Sequence, residues 1–338
     1  ESVDLLCYLG LYYFTAPFFC YNKIVPIPNK EGVIMKLMVS GIGGVGGYVA
    51  AVLCSHYAEV TLIARKKRRD SLREKGLVVH SQLLGEQVFH PAVTDTPAEA
   101  GIQDMIFICT KNYSLPAALA AVQPCVGPET LVVPIMNGID HYETARSLLQ
   151  GGIVVNALVY IAANYRPDYS IDHNCNYARI IVAAPQAEAA ARVVSVLNHE
   201  GEINCYIADD MKSELWHKFI VNCGYNTITA YYGCTTRGLL EPPARLKEFQ
   251  TLLDEAYAVA IADGAKLPDD LTARIYDRFL NRRGLDLSSS MARDFAAHRP
   301  SELETFSGVL VRKAHALGVA VPLTERFYEG LKEREAHI

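Results

Sequence analysis

A glycine run set between an apolar strand and a helix constrains this chain most. Residues 36–40 read as a short buried strand, Gly41-Ile-Gly-Gly-Val-Gly-Gly47 follows, and 48–56 reads as a helix rich in Ala, Val and Leu. In Gly41-x-Gly43-x-x-Gly46 the first glycine permits a tight turn. The second lets a pyrophosphate approach, and the third lets the helix pack on the strand. Gly44 lies in the same run. The helix N-terminus then offers its free N–H groups to phosphate. A glycine-rich turn alone says little. Placed strand-to-helix, it predicts a dinucleotide site built on Gly41, Gly43, Gly44 and Gly46.

The pattern continues as alternating strands and helices. Further buried strands are expected at 60–63, 105–109, 131–135, 153–157, 179–183 and 203–207. Such alternation predicts a doubly wound, mostly parallel sheet of Rossmann type. From about residue 209 the texture becomes helical, with helices expected at 211–230, 246–263, 271–280, 302–317 and 323–335. Gly318 is placed to close one of these and Pro322 to open the next. The expected fold is therefore α/β. An N-terminal Rossmann-type dinucleotide-binding domain spans 35–207, and an all-helical C-terminal domain over 208–338 carries substrate and catalytic groups. Residues 1–34 read as a leader or extension outside the core fold, with a natural start at Met35-Lys36. The apolar stretch from Leu5 to Cys20 lacks a basic flank and an A-x-A pattern, and Pro17 interrupts it.

Bulk properties narrow the partners. With 338 residues, half of them hydrophobic, the chain can bury two cores. A net charge of −5 and a pI near 6.1 give no basic surface, which argues against nucleic acid. No stretch beyond the leader suggests a membrane partner. Nine cysteines show neither a C-x-x-C pair nor zinc spacing, and the ten histidines show no ligand pattern. Reduced thiols in the cytoplasm and no metal site are expected. An apolar surface on the helical half would support a homodimer, although the sequence does not itself show one.

The end of the second strand points to the dinucleotide. An NAD site usually places a carboxylate there for the ribose hydroxyls. Here the run is Ile63-Ala-Arg65-Lys-Lys-Arg68-Arg69, with no carboxylate before Asp70. Arg65 stands where a 2′-phosphate would lie, and a guanidinium binds phosphate bidentately. NADP (NADPH) is the expected cofactor, with Arg68 as a secondary ligand. Lys111 and Asn137-Gly138 follow two later strands. Ligands of open α/β sheets gather at the carboxyl ends of strands. Lys111 is therefore expected to reach the cofactor or the substrate charge, and Asn137 to bridge nicotinamide and substrate.

In the second half, Lys218, Asn222 and Asn226 recur every four residues and so share one helix face. Leu215, Trp216, Phe219, Ile220 and Cys223 make an apolar stripe elsewhere on that helix. Asn costs up to about 0.7 kcal/mol against Ala in a helix interior. A merely solvated face would more naturally carry Glu, Lys or Gln. Two asparagines in register with a lysine suit the grip of a small oxo acid.

With these features the chain resembles the ketopantoate reductase (2-dehydropantoate 2-reductase) family from residue 35 to nearly its end. The resemblance rests on Gly41-x-Gly43-x-x-Gly46, Arg65, Lys111, Asn137-Gly138 and Trp216-x-Lys218-x-x-x-Asn222-x-x-x-Asn226. Ser289-Ser290-Met291-x-x-Asp294 and Arg299-Pro300-Ser301-Glu302 add to it. It implies NADPH-dependent reduction of ketopantoate to pantoate, on the way to pantothenate and coenzyme A. It also implies a Rossmann domain joined to a helical one. By the same resemblance Lys218 donates the proton to the ketone oxygen and Glu302 contacts the substrate hydroxyl. Asn222, Asn226 and Ser290 bind substrate, Ser290 near its carboxylate, and Asn137 touches both ligands. Two positions depart from the family. Thr236 replaces a frequent Asn in the substrate loop, and Ser307-Gly308 stands where the family has Asn-Gly. Thr236 can still donate a hydrogen bond to substrate, with a shorter reach.

The physical roles agree with that implication. Hydride addition builds negative charge on oxygen, which an ammonium stabilises and protonates. Burial beside a nicotinamide would lower the lysine pKa and make it a better acid. A related 2-oxo acid is the first alternative substrate. A 3-hydroxyacid or 6-phosphogluconate-type dehydrogenase is a rival enzyme, and a non-catalytic NADP-sensing protein is a rival of another class. Cys109 and Cys223 are expected to be packing residues rather than nucleophiles.

Overall fold

The computed structural model describes residues 34–281 and 286–337. The leader reading for residues 1–34 lies outside the described residues except for Ile34. The chain divides into two compact units between Met211 and Lys212.

The first unit is built on a six-stranded, all-parallel sheet. Its strands lie in the order Ala92–Thr94, Glu59–Ile63, Lys36–Ser40, Met105–Ile108, Leu131–Pro134, Ile153–Val154. Counted along the chain this is 3-2-1-4-5-6, the Rossmann order. Both faces are covered, so the central strands Met105–Ile108 and Leu131–Pro134 are apolar throughout rather than alternating. Leu37 and Val39 pack with Tyr48, Val49, Val52 and Leu53 of the Gly44–His56 helix. Met38, Ile106 and Ile108 point to the opposite face, against Leu115 and Leu119 of the Leu115–Val122 helix. All of these side chains are at most 2% exposed. Each such burial stabilises by about 1.5–3 kcal/mol.

Two features depart from the expected strands. The run 153–157 is not one strand. Ile153–Val154 closes the parallel sheet, while Asn156–Tyr160 pairs antiparallel with Arg179–Ala183 in a three-stranded sheet completed by Asn204–Ile207. The chain changes sheets at Val155, which is fully buried. An unbroken apolar run reads the same whether or not its partners change. A four-stranded sheet was also not expected, in the order Ala163–Tyr165, Ile171–His173, Leu77–Ser81, Gly85–Phe89. It explains two glycines of the helix Gly44–His56. A Cβ on Gly44 would stand 2.1 Å from the Ala163 carbonyl oxygen, and one on Gly47 would stand 2.3 Å from the Ile171 side chain.

The second unit is helical. Its helices are Met211–Tyr232, Thr236–Leu240, Pro243–Ala262, Leu271–Asn281, Ser290–Ala296, Val309–Leu317 and Pro322–Glu335. A π-helical turn, Glu304–Gly308, leads into Val309–Leu317, where the sequence pattern read as one continuous helix. Gly318 closes that helix at φ +68, and Pro322 opens the next. The start of the Pro322–Glu335 helix follows Val321, which has no side-chain acceptor. Glu255 supplies one from the Pro243–Ala262 helix. Its carboxylate accepts from the N–H groups of Leu323 (2.9 Å) and Thr324 (2.8 Å) and from the Thr324 hydroxyl (2.7 Å). Such a carboxylate satisfies orphan donors and favours the positive end of the helix. Glu255→Ala is expected to lower the unfolding free energy by about 2–3 kcal/mol, since buried donors lose their partner. Glu255→Gln, which keeps an acceptor oxygen, should lose less. Thermal unfolding by circular dichroism checks this ordering, and equal melting of wild type and Glu255→Ala would refute it.

No helix among the described residues is long and apolar enough to cross a membrane.

Candidate active site

Each unit carries its own set of the expected site residues. In the first, the carboxyl edge of the parallel sheet gathers the expected cofactor residues. The glycine loop leaves the central strand Lys36–Ser40 there. Gly41 sits at φ +95, which a side chain rarely adopts. A Cβ on Gly46 would stand 2.0 Å from the Gly41 carbonyl oxygen, so that glycine is required by the turn itself. Gly43 differs. A Cβ there would meet no protein atom within 4 Å. The protein's own atoms impose no glycine at this position, and the open space leaves the backbone accessible to a phosphate. The N–H groups opening the Gly44–His56 helix face the same side. These residues fit a dinucleotide pyrophosphate.

Arg65 ends the second strand region and is exposed at the start of the Lys66–Lys75 helix. Arg68 turns back instead of standing beside it. Its Nε donates to the Ile42 carbonyl (3.2 Å) within the glycine loop, and Nη1 donates to the Tyr169 carbonyl. Burial lowers its pKa to about 10, against the nearby tyrosines, Tyr165 and Tyr169, which raise it. Arg68 thus braces the loop, and Arg69 is engaged by Asp70 and Asp95. Arg65 is the exposed arginine of the 65–69 run. Lys111 opens the short turn Asn112–Ser114 after Met105–Ile108. Asn137 precedes Gly138 (φ +108) after Leu131–Pro134. Both are half-buried on this same edge.

In the second unit, the long helix Met211–Tyr232 is buried over most of its length from Ser213 to Ala230. The expected polar stripe is therefore not solvated. Lys218 is 4% exposed, Asn222 8% and Asn226 5%. Burying an ammonium and two amides is costly unless they are engaged, so this face is chemically specialised. Asn226 is engaged at both ends of its amide. Its Nδ2 donates to the Asn222 carbonyl (3.0 Å), and its Oδ1 accepts from the Ser290 hydroxyl and the Met291 N–H (3.3 Å each). The structure thus brings Asn222, Asn226 and Ser290 together. Asn226 sets the position of Ser290, and the Asn222 side chain lies one turn toward Lys218.

Ser289, part of the Ser289-Ser290-Met291 motif but given no role from sequence, completes the corner. Its hydroxyl oxygen accepts from the Ala292 N–H (3.0 Å), capping the Ser290–Ala296 helix, and from the Thr229 hydroxyl (2.7 Å). A serine three residues before a helical N–H was the available signal. Thr236 is tied to Leu287, two residues before Ser289. Its hydroxyl oxygen accepts from the Leu287 N–H (2.9 Å) and its own N–H donates to the Leu287 carbonyl (2.8 Å). It bolts down the segment leading to Ser289. Glu302 is 3% exposed, one turn before Phe306, whose ring lies 6.3 Å from that of Phe219 beside Lys218. Ser307 is fully buried, its hydroxyl 2.8 Å from that of Thr227. The π-helical turn holding it belongs to a class of irregularity frequent at functional sites.

His217, Cys109 and Cys223 are unsuited to proton transfer or nucleophilic attack. Burial, then the charges of Arg274 and Arg278, lower the His217 pKa to about 4, so it stays neutral near pH 7. Burial pushes the Cys109 thiol up to about 12 and the Cys223 thiol well above its usual range. Neither forms the reactive thiolate at neutral pH.

Comparison with known proteins extends this picture. The profile of the ketopantoate reductase PanE/ApbA family matches residues 37–186, and its C-terminal counterpart matches residues 210–335. An uncharacterized oxidoreductase of Bacillus subtilis, YkpB, is 27% identical over 89% of this chain and 99% of its own length. A 2-dehydropantoate 2-reductase of Mycobacterium tuberculosis is 27% identical over 84% of this chain and 92% of its own. The crystal structure of a PanE/ApbA family ketopantoate reductase from Ralstonia eutropha superposes with a TM-score of 0.80 at 27% identity, covering 90% of this chain and 99% of that one.

Proposed function

Because the chain belongs to the ketopantoate reductase family and is an NADP-dependent oxidoreductase of that type, we propose that it reduces ketopantoate to pantoate, feeding pantothenate and coenzyme A synthesis. The observation that carries this reading is the buried face of Lys218, Asn222 and Asn226, with the Ser290 hydroxyl seated on Asn226.

NADPH, held by the glycine loop, Arg65, Lys111 and Asn137, supplies the hydride when bound. The Lys218 ammonium stabilises the negative charge that grows on the ketone oxygen and gives that oxygen its proton. Asn222 donates to the substrate from the next turn. The Ser290 hydroxyl, which in the unliganded chain gives its one proton to Asn226 Oδ1, turns that proton to the substrate carboxylate, and Glu302 accepts from the substrate hydroxyl. His217, next to Lys218, stays neutral near pH 7 and is not a cationic proton donor there. The reading includes a cytoplasmic setting, which free thiols at Cys54, Cys109, Cys125, Cys175, Cys205, Cys223 and Cys234 support.

One observation favours a second substrate reading, another small 2-oxo acid. Thr236 accepts from the Leu287 N–H, and Ser307 is bonded to Thr227, at two positions where the family resemblance places Asn. The test is kcat/KM for ketopantoate against a panel of 2-oxo acids, followed by NADPH absorbance. Ketopantoate is expected to lead by at least about tenfold, the scale of one lost or gained pocket contact. A different acid in the lead would move the substrate and leave the chemistry.

A further inference from the structure

Three elements of the second unit hold its polar groups: the long helix with Lys218, the Ser290–Ala296 helix, and the segment entered at Glu302. Two adjacent residues in the last turn of the Pro322–Glu335 helix touch all three. Arg334 Nη1 donates to the carbonyls of Ala230 (3.0 Å) and Tyr231 (2.8 Å). These belong to the last turn of the long helix, where carbonyls lack intrahelical donors. The same guanidinium lies 5.4 Å from the ring of Phe295 on the Ser290–Ala296 helix. Glu335 Oε1 accepts from the Ser301 N–H (3.0 Å) and the Ser301 hydroxyl (2.6 Å). The Ser301 hydroxyl oxygen accepts in turn from the Leu303 N–H (3.1 Å). The N–H groups on either side of Glu302 are therefore both fixed, one directly by Glu335 and one through Ser301. Ser301, Glu302 and Leu303 are all buried.

The placement of Glu335 is informative. A carboxylate in the last helical turn opposes the negative end of its own helix. That cost is offset by the two hydrogen bonds to Ser301. We infer that Arg334 and Glu335 form a clasp that positions Glu302 relative to the Lys218 helix, so that turnover depends on a helix end that touches no substrate. They are positioning residues, and their effect on turnover rests on the proposed reduction.

The test uses the full chain with Glu335→Ala, Glu335→Gln and Ser301→Ala. Glu335→Ala is expected to lower kcat about tenfold to a hundredfold, the scale of a misplaced reacting group, with the KM for NADPH unchanged. Glu335→Gln keeps an oxygen able to accept both bonds and should restore turnover to within about twofold of wild type. Ser301→Ala should reproduce the loss, and the Glu335→Ala/Ser301→Ala double variant should be no worse, because the two act as one unit. Hydrogen exchange at the Leu303 amide should quicken locally in Glu335→Ala while the core of the long helix keeps its protection. Wild-type kcat in Glu335→Ala, or exchange raised uniformly through the unit, would overturn the clasp. If the wild type reduces no oxo acid, the proposed function fails. Exchange at Leu303 then decides the clasp alone, local quickening supporting it and an unchanged rate refuting it.

Discussion

Lys218→Ala is expected to lower kcat about 10²–10⁴-fold with ketopantoate and NADPH, the usual scale for a lost general acid. The residue lies inside the second unit at 4% exposure, so its ammonium is not a solvated surface charge. Cofactor affinity should be unchanged, because the glycine loop and Arg65 belong to the other unit's sheet edge. A fall in kcat and in kcat/KM together, with NADPH binding intact, would identify an interaction made in the transition state. Lys218→Arg should rescue poorly. Its guanidinium carries the charge yet gives up a proton far less readily. A Lys218→Ala enzyme within about threefold of wild type would remove Lys218 from the mechanism.

The second large effect is expected at the cofactor. Arg65→Ala should weaken NADPH binding about tenfold to a hundredfold, the loss of one or two charge-assisted hydrogen bonds. NADH binding should barely change, since NADH lacks the 2′-phosphate. Arg68 gives the contrast. Its bonds run to the Ile42 and Tyr169 carbonyls, so Arg68→Ala should weaken both cofactors alike by loosening the loop. Titration of each variant with NADPH and NADH separates the two roles. Equal weakening of both by Arg65→Ala would contradict a phosphate contact.

How much of this was legible depended on how local each signal is. The glycine loop was readable because turn, strand and helix are adjacent in sequence. The Rossmann sheet followed from the alternation of buried strands and helices. The four-stranded sheet was not readable. Gly85–Phe89 is almost wholly exposed and carries little pattern, and Leu77–Ser81 pairs with Ile171–His173, far along the chain. The sheet change at Val155 hid inside one apolar run. On the long helix, four-residue spacing revealed the shared face of Lys218, Asn222 and Asn226. It could not reveal that the face is buried, nor that Asn226 Oδ1 accepts from Ser290 and Met291. Likewise the sequence does not show that the Thr236 hydroxyl oxygen accepts from the Leu287 N–H. Residue type marks the chemistry, while the partner that claims each group is set by contacts remote in sequence.

The most direct measurement is the stoichiometry of a single reaction. Wild-type protein is mixed with ketopantoate and NADPH, and pantoate formed is quantified by mass spectrometry against NADPH consumed. The expected result is about one pantoate for each NADPH, as hydride transfer to one ketone requires. NADPH binding without pantoate formation, under conditions where the protein is folded, would contradict the assignment and leave a nucleotide-binding protein without this turnover.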